Sequence, residues 1–372
     1  VTTLKAYKYR IYPTKTQKVL LNKTFGCVRV VWNHLVEVFN QFDRNQIEQL
    51  QPLTSTQLRQ KFEWMREVSA AALQQKEIDF KTFKKAYFSN SRKNKIGRPS
   101  FKNRDSRQSY RLPNQKFTVN EKTIRLEKIG TVKLVLDRAV PVGCKLLSVT
   151  VSKNKCGQFF ASVLVECITI QKPKTGNRIG LDIGLKMFLT GSDGFTIENP
   201  KFFRENQAEF KQAQRHLSRK KKGSVRYKKA KLRVAKIYNY LVNQRQHFIQ
   251  TKTTELINCY DFIGIEDLSV AGMLKNHNLA KSIADAAFSE FYRTLSYKAV
   301  WYGKEVVKVD RWFPSSKLCS DCGWKHDNLT LSDRVFECLA CGLKQDRDLN
   351  ASKNILQEAL RVSSAIRTPS EG

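Results

Sequence analysis

Two pairs of cysteines constrain this chain more than any other feature. Cys319 and Cys322 are followed by Gly323, Cys338 and Cys341 are followed by Gly342, and 15 residues separate the pairs. Two residues between thiolates let one tight knuckle aim both sulfurs at a single ion about 2.3 Å away. A glycine just after each knuckle supplies the permissive backbone that the turn requires. Four thiolates imply no open coordination position, so the pattern predicts one structural Zn²⁺ in a ribbon over residues 314–344, a segment with too little core to fold alone. The other five cysteines (Cys27, Cys144, Cys156, Cys167 and Cys259) are scattered singly. That spacing predicts buried thiols in a reducing compartment and no disulfide framework.

Charge narrows the partners. The 372 residues carry 67 Lys and Arg against 33 Asp and Glu, a net charge of +34. A compact state repels itself at this charge unless a polyanion neutralises it, and nucleic acid is the expected partner. No apolar run is long enough to span a membrane, and no short basic amphipathic anchor stands at either end, so no membrane partner is expected. Val1-Thr-Thr-Leu-Lys-Ala-Tyr-Lys lacks an apolar signal core, which makes the cytoplasm the expected location.

The hydrophobic period changes along the chain. Tyr7, Tyr9 and Ile11 alternate with Lys8 and Arg10 up to Pro13, the pattern of a strand. Residues 15–95 turn helical and read as four helices, the first two dividing near Phe25 and the last two covering Thr54–Val68 and Ala70–Tyr87. A lone histidine within Trp32-Asn-His reads as a satisfied structural side chain. Residues 91–107 form a basic linker that a polyanion could order. From about 108 to 171 the period is two, with strand candidates at Phe117–Val119, Thr123–Leu126, Val132–Leu136, Leu147–Val151 and Phe159–Ile170. Such short strands predict a small barrel, which the early strand joins for want of a nearer partner. A second domain opens at Asn177 with a hairpin. Helices over about 203–258, the strand Phe262–Glu266, a helix over Ser282–Tyr302, the strand Val306–Val309 and a last helix over about 349–361 follow, then a frayed tail.

Three acids stand in characteristic settings. Asp182 lies mid-strand in Ile179-Gly-Leu-Asp-Ile-Gly, Glu266 ends an apolar strand, and Asp348 opens the last helix within Asp346-Arg-Asp-Leu-Asn-Ala. Each alone reads as a cap or a surface residue, and Asp348 as an N-cap. In this order they can converge, and hard oxygen donors without a histidine select Mg²⁺ or Mn²⁺, the ions of in-line phosphodiester displacement. A further signal is the run 219–236, where ten of 18 residues are basic and none is acidic. Arg219, Lys220, Lys221, Lys222, Lys228 and Lys229 are its candidate phosphate contacts, with Leu217, Leu232, Ala235, Tyr238, Leu241 and Val242 as its packing side.

Seven stretches together carry a family resemblance: Tyr9-Arg-Ile-Tyr-Pro, Trp32-Asn-His, Gly180-Leu-Asp-Ile-Gly, Gly264-Ile-Glu-Asp-Leu, Tyr297-Lys-Ala-Val-Trp-Tyr-Gly, Phe313-Pro-Ser-Ser-Lys-Leu-Cys-Ser-Asp-Cys-Gly and Asp346-Arg-Asp-Leu-Asn-Ala-Ser-Lys-Asn-Ile. In these the chain resembles the TnpB family, transposon-encoded RNA-guided nucleases related to type V CRISPR effectors. The resemblance implies a multidomain α/β protein with a β-barrel. A wedge-type barrel over 1–13 and 96–175 would be interrupted by a helical recognition insert at 14–95. A RuvC nuclease of RNase H fold over 176–313 and 345–361 would be interrupted by a zinc-bearing target-strand module at 314–344, with a tail at 362–372.

By motif position, the resemblance makes Asp182, Glu266 and Asp348 the RuvC triad, with Asp346 as a close alternative to Asp348, and the four cysteines the zinc ligands. Gln74 falls at a position that reads the DNA motif. The implied partners are a noncoding guide RNA from the transposon end, one protein chain per RNA, and a target DNA duplex beside a short adjacent motif. The implied activity is RNA-guided DNA cleavage. The alternatives are a nuclease-inactive RNA-guided repressor, which the complete acid triad disfavours, and a conventional DNA transposase.

Overall fold

The computed structural model describes residues 2–41, 51–89, 96–168, 171–330 and 332–367. Residues 91–95 of the basic linker, 169–170 at the end of the last barrel strand and 368–372 of the tail lie outside them. The chain divides into two compact units, Val1–Ile168 and Thr169–Gly372.

In the first unit, β1 (Thr2–Tyr12) is followed by α1 (Lys15–Asn40), α2 (Ser55–Lys61) and α3 (Ala70–Phe88). Six strands follow: β2 (Gln108–Pro113), β3 (Phe117–Val119), β4 (Thr123–Leu126), β5 (Gly130–Val135), β6 (Lys145–Lys153) and β7 (Phe159–Ile168). The seven strands form one antiparallel sheet in the order β2-β6-β7-β1-β5-β4-β3, a nearly closed barrel. β1 therefore lies between β7 and β5, although more than 100 residues separate it from either. Tyr9 and Ile11 point inward from it, so this is a half-buried strand with Lys8 and Arg10 ranged over the Phe160 ring.

Several expectations about the first unit are corrected. The first two helices are one, because the buried stripe Leu21, Phe25, Val28, Val31, Leu35 and Phe39 continues in phase through Gly26. The Thr54–Val68 segment is the short α2 followed by a 3-10 turn over Glu63–Glu67. β2 is not among the expected strands, although Tyr110 and Leu112 alternate into the core. Residues 100–102 of the linker are held by α1. Asn33 exchanges two hydrogen bonds with the Lys102 backbone at 3.0 and 2.8 Å, and the Trp32 indole donates to Ser100 O at 3.1 Å. His34 Nε2 accepts from Leu53 N, the satisfied structural role expected of it. Cys144 and Cys167 are joined in a disulfide, against expectation. They flank the Lys145–Glu166 register pair of β6 and β7, so the ladder makes neighbours of residues that are 23 apart in sequence. Nor are all the free thiols buried, since Cys259 is exposed and Cys156 partly so.

In the second unit, β8 (Arg178–Asp182), β9 (Met187–Gly191) and β10 (Thr196–Glu198) form an antiparallel meander. α4 (Phe202–Glu205), α5 (Gln207–Ser218) and α6 (Val225–Cys259) lead to β11 (Phe262–Glu266). Next come α7 (Val270–Met273), α8 (His277–Ala286), α9 (Phe288–Tyr302) and β12 (Glu305–Val309). β13 (Val335–Glu337), β14 (Lys344–Asp346) and α10 (Arg347–Arg367) complete it. The central sheet runs β10-β9-β8-β11-β12, with β11 parallel to β8 and β12 parallel to β11, the strand order of the RNase H fold.

Two boundaries differ from expectation here. The helix expected over Ser282–Tyr302 breaks at Ala287, whose φ of +54° is left-handed, and the break turns Phe288 and Phe291 into the core against Phe188. The last helix does not stop near 361. Its buried face continues through Ala359 to Ser363, whose hydroxyl donates to Glu305 Oε1 at 2.6 Å.

Two glycines seat α10 on the sheet. Gly180 and Gly264 are register partners on β8 and β11. A Cβ at Gly180 would run into the Ser352 carbonyl and come within 2.5 Å of Leu356 N, and one at Gly264 would lie 2.6 Å from Ala359 Cβ. Helix backbone thus nests directly on strand backbone. Gly180→Ala must push α10 off the sheet and is expected to cost about 2–3 kcal/mol. Gly97→Ala, where nothing lies within 4 Å of the new methyl, should be near neutral. Comparing the two denaturant midpoints checks this.

Candidate active site and metal centre

The glycine seat also assembles the acids. Side chains two residues apart on a strand share a face. Asp182 stands two residues beyond Gly180 and Glu266 two beyond Gly264, so both carboxylates lie on the face that α10 covers, at the ends of β8 and β11. Asp182 is thus the last residue of its strand, a correction to its expected mid-strand position. Asp348 lies in the first turn of α10, four residues before Ser352 and hence on the same helix face. The positive end of the helix dipole favours negative charge there.

Electrostatics register the convergence. The Asp182 carboxyl is pushed up from an ordinary 3.8 to about 7, first by burial, then by the negative charges of Asp348 and Glu266; Arg347 and the Ile183 N–H pull partly the other way. Burial likewise raises Glu266. Asp346 has a different task. Its Oδ1 accepts from Asp348 N at 2.8 Å and Leu349 N at 3.1 Å, which makes it the N-cap of α10. The cap role that Asp348 offered in sequence therefore belongs to Asp346, and Asp348 is left to face the other two acids.

A buried carboxylate raised by two like-charged neighbours fits a divalent cation, whose charge would remove the repulsion. Without such a cation, the raised Asp182 works against folding. Between pH 3.8 and about 7 the folded state holds a proton that the unfolded state has lost, so this group's contribution to stability falls as pH rises. Asp182→Asn should therefore raise the thermal midpoint in Mg²⁺-free buffer at pH 8, with the gain shrinking toward pH 4. A gain of about 1–2 kcal/mol is expected, below what about 1.4 kcal/mol per unit would give, because the carboxylate remains partly open to water.

The cysteines form a second centre. Their four Sγ atoms all lie within 4.8 Å of one another, a closeness that no other group of three or more metal-ligating side chains reaches among the described residues. Cys319 and Cys341 Sγ are 3.6 Å apart, and Cys322 and Cys338 Sγ 3.5 Å. A tetrahedral ion with 2.3 Å bonds needs about 3.8 Å between sulfurs, so the cluster fits Zn²⁺ closely. The two knuckles are alike. Gly323 N donates to Cys319 O at 3.0 Å and Gly342 N to Cys338 O at 2.9 Å, and both glycines have φ of +76°. The β13–β14 hairpin adds a small core of Phe336 with Trp324, Leu329 and Leu343.

Polar side chains on α10, which the sequence reading missed, tie the ribbon to the helix that carries Asp348. Asn350 Nδ2 donates to Leu318 O at 2.6 Å and its Oδ1 accepts from Ser320 N at 3.0 Å. Asn354 Nδ2 donates to Ser315 O and Leu318 O, and Gln357 Nε2 to Ser320 O. Asn350 and Asn354 are buried. The visible signal was their spacing, three amides at positions i, i+4 and i+7 on one helix face.

The remaining candidates stand apart from the acids. Arg219, Lys220, Lys221 and Lys222 occupy the turn between α5 and α6, and Lys228 and Lys229 lie near the start of α6. All but the half-buried Lys220 are exposed. The packing side of α6 is Ala230, Ile237 and Leu241; Leu232 and Tyr238, expected inside, are exposed. Gln74 is exposed on α3 in the first unit. No described helix is long and apolar enough to cross a membrane.

Comparisons with known proteins agree with this architecture. A family model described as "probable transposase" matches residues 158–277, a "Cas12f1-like, TNB domain" model matches 288–355, and a "helix-turn-helix domain" model matches 3–41. The last of these stretches folds here as β1 and the single helix α1. A protein of Streptomyces pristinaespiralis named "Putative RNA-guided DNA endonuclease" is 37% identical over 96% of this chain and 90% of its own length. InsQ of Escherichia coli K12, similarly named, is 28% identical over 95% of this chain and 92% of its own length. The Cas12f1 chain solved by cryo-EM with its sgRNA and target DNA shares the fold at a TM-score of 0.51 and 14% identity, over 95% of this chain and 98% of its own. A relative alike from end to end at 37% identity settles the kinship: the chain belongs to the TnpB family.

Proposed function

We propose that this chain is an RNA-guided DNA endonuclease of a transposon, which hydrolyses phosphodiester bonds at Asp182, Glu266 and Asp348. The observation that carries this reading is the convergence of the three carboxylates on one face of an RNase H-type sheet. Mg²⁺ or Mn²⁺ ions held by these acids would supply nucleophile activation and neutralise charge on the cleaved phosphate. The chain's own residues do the rest. Asp182 and Glu266 project from rigid strand ends, Asp348 is aimed by a capped helix, and Asp346 holds that cap. Partial burial of Asp182 limits how far bulk water screens the site. The four-cysteine cluster holds a structural Zn²⁺ and, through Asn350 and Asn354, braces α10.

In the same reading, residues 1–13 and 96–175 serve as the wedge barrel, 14–95 as the recognition insert, 176–313 and 345–361 as the RuvC nuclease and 314–344 as the target-strand module. One chain binds one noncoding guide RNA, whose backbone the positive surface tracks while base pairing reads the DNA. Asp182 feels the charge of both other acids, and a complete set of three favours a nuclease over an inactive repressor. Neutralising Lys220, Lys221, Lys222, Lys228 and Lys229 together should weaken RNA or DNA binding without changing which DNA is chosen. The slope of log affinity against log salt should shrink by about 0.7–0.9 for each lost phosphate contact. The test of the proposal as a whole is sequencing of the RNA that co-purifies with the expressed protein. A single defined species with an exchangeable terminal segment is expected, and random cellular RNA would contradict the RNA-guided reading.

A further inference from the structure

Trp312 is 84% exposed, more than any other aromatic side chain among the described residues. Its backbone, by contrast, is pinned on both sides. Trp312 N donates to Asp310 Oδ1 at 2.8 Å and Phe313 N to Asp310 O at 3.1 Å. Phe313 packs inward against the cluster of Phe262, Val309, Ile355 and Ala359, and Ser315 O is held by Asn354 Nδ2 at 2.7 Å. The turn thus packs Phe313 inward and presents the preceding Trp312 to water, where no packing among the described residues accounts for it.

The turn lies beside the acids. Val309, three residues before Trp312, is the register partner of Glu266, and Asp267 N donates to Val309 O at 3.0 Å. Three residues reach about 11 Å at most. Lys308 and Arg311 share the carboxylate of Asp267 at 3.0 and 2.8 Å, so two cations flank the turn, while the Asp310 carboxylate is engaged by Trp312 N. An exposed indole on a hydrogen-bonded turn with two cations beside it has the chemistry of a platform for single-stranded nucleic acid: the ring stacks on a base and the cations follow the phosphates. A base in a duplex has both faces covered, so such a platform needs an unpaired strand.

We propose that Trp312 is a positioning residue on which an unpaired nucleobase of the DNA strand being cut stacks, setting the scissile phosphate over Asp182, Glu266 and Asp348. This rests on the nuclease reading above. Every base offers a π-face, so the contact tolerates any sequence, as an enzyme whose targets are chosen by its RNA requires.

The test uses the full chain with its co-expressed RNA and guide-matched DNA in Mg²⁺. Trp312→Ala should slow single-turnover cleavage by about 5–100-fold, the range for losing one stacked base, while Trp312→Phe keeps most of the rate and target binding is unchanged in both. Abasic sites are then scanned through the cut region. One position should slow the unmodified protein by a similar factor yet add nothing in Trp312→Ala. Equal abasic effects in both proteins, cleavage by Trp312→Ala at the full rate, or a changed oligomeric state in place of a changed rate would each overturn the proposal. Should the unmodified protein not cut at all, the nuclease reading fails, and photocrosslinking decides the stacking separately. A single-stranded DNA probe bearing 5-bromodeoxyuridine should crosslink to Trp312; crosslinks confined to other residues would overturn the platform itself.

Discussion

Asp182→Ala should lower guide-directed DNA cleavage by about 10³-fold or more while leaving RNA binding and target DNA binding near normal. The two tasks draw on different physics. Affinity comes from spread cations on a chain of net charge +34 and from base pairing, and Asp182 takes part in neither. On the proposed reading, cleavage depends on a carboxylate cluster in which Asp182 is the member that feels both others. Glu266→Ala and Asp348→Ala should match it, and double substitutions should be no worse, because residues that act as a unit are not additive. Asp346→Ala should differ. It removes the N-cap of α10, an effect of about 1 kcal/mol on the helix, and cleavage should weaken without disappearing. Gel-shift and cleavage assays on the same preparations separate these outcomes. Loss of cleavage in Asp346→Ala with retention in Asp348→Ala would exchange the roles of the two.

Cys338→Ser should reduce bound zinc from one ion per chain to near none and unfold residues 314–344 locally. Apparent binding energies of about 10–16 kcal/mol for structural Zn²⁺ are folding energy in a segment whose own core is one buried phenylalanine and its few neighbours. The first unit, with its own extensive core, should keep its structure. Cleavage should fall as well, although the cysteines take no part in the proposed chemistry. The hydrogen bonds from Asn350, Asn354 and Gln357 to residues 315–320 brace the start of α10, and a displacement of about 1 Å at Asp348 is enough to cost about 100-fold. Limited proteolysis with metal analysis checks the first part. Asn354→Ala, which keeps the zinc ligands, checks the second and should show reduced cleavage with full zinc.

What was legible in the chain followed from local pattern. Cysteine spacing encodes a knuckle, and alternation at Tyr9 and Ile11 encodes a strand, so the ribbon and β1 could be read directly. The three acids could be listed, but their meeting could not be derived from periodicity. The reason they meet is the pairing of Gly180 with Gly264, a contact between strands more than 80 residues apart. The motifs Gly-Leu-Asp and Gly-Ile-Glu held a clue in the glycine two residues before each acid, where helix backbone needs room. The Cys144–Cys167 bond was hidden for the same reason, since register and not spacing makes those residues neighbours. Helix boundaries failed where the deciding contact was tertiary. Ala287 takes a left-handed conformation to bury Phe288, and α10 runs on because Ser363 reaches Glu305. Asp346 and Asp348 were indistinguishable in sequence because either could cap a helix, and only the hydrogen bonds to Asp346 divide their roles.

The most direct test of RNA-guided cleavage is to rewrite the guide. The terminal segment of the co-purifying RNA is replaced by a new sequence, and the reconstituted complex is offered plasmids carrying the old or the new target in Mg²⁺. The account predicts that cutting moves to the new target, is lost at the old one, and is absent from both with Asp182→Ala. Cutting that stays at the old site, or that proceeds equally without RNA, would contradict it.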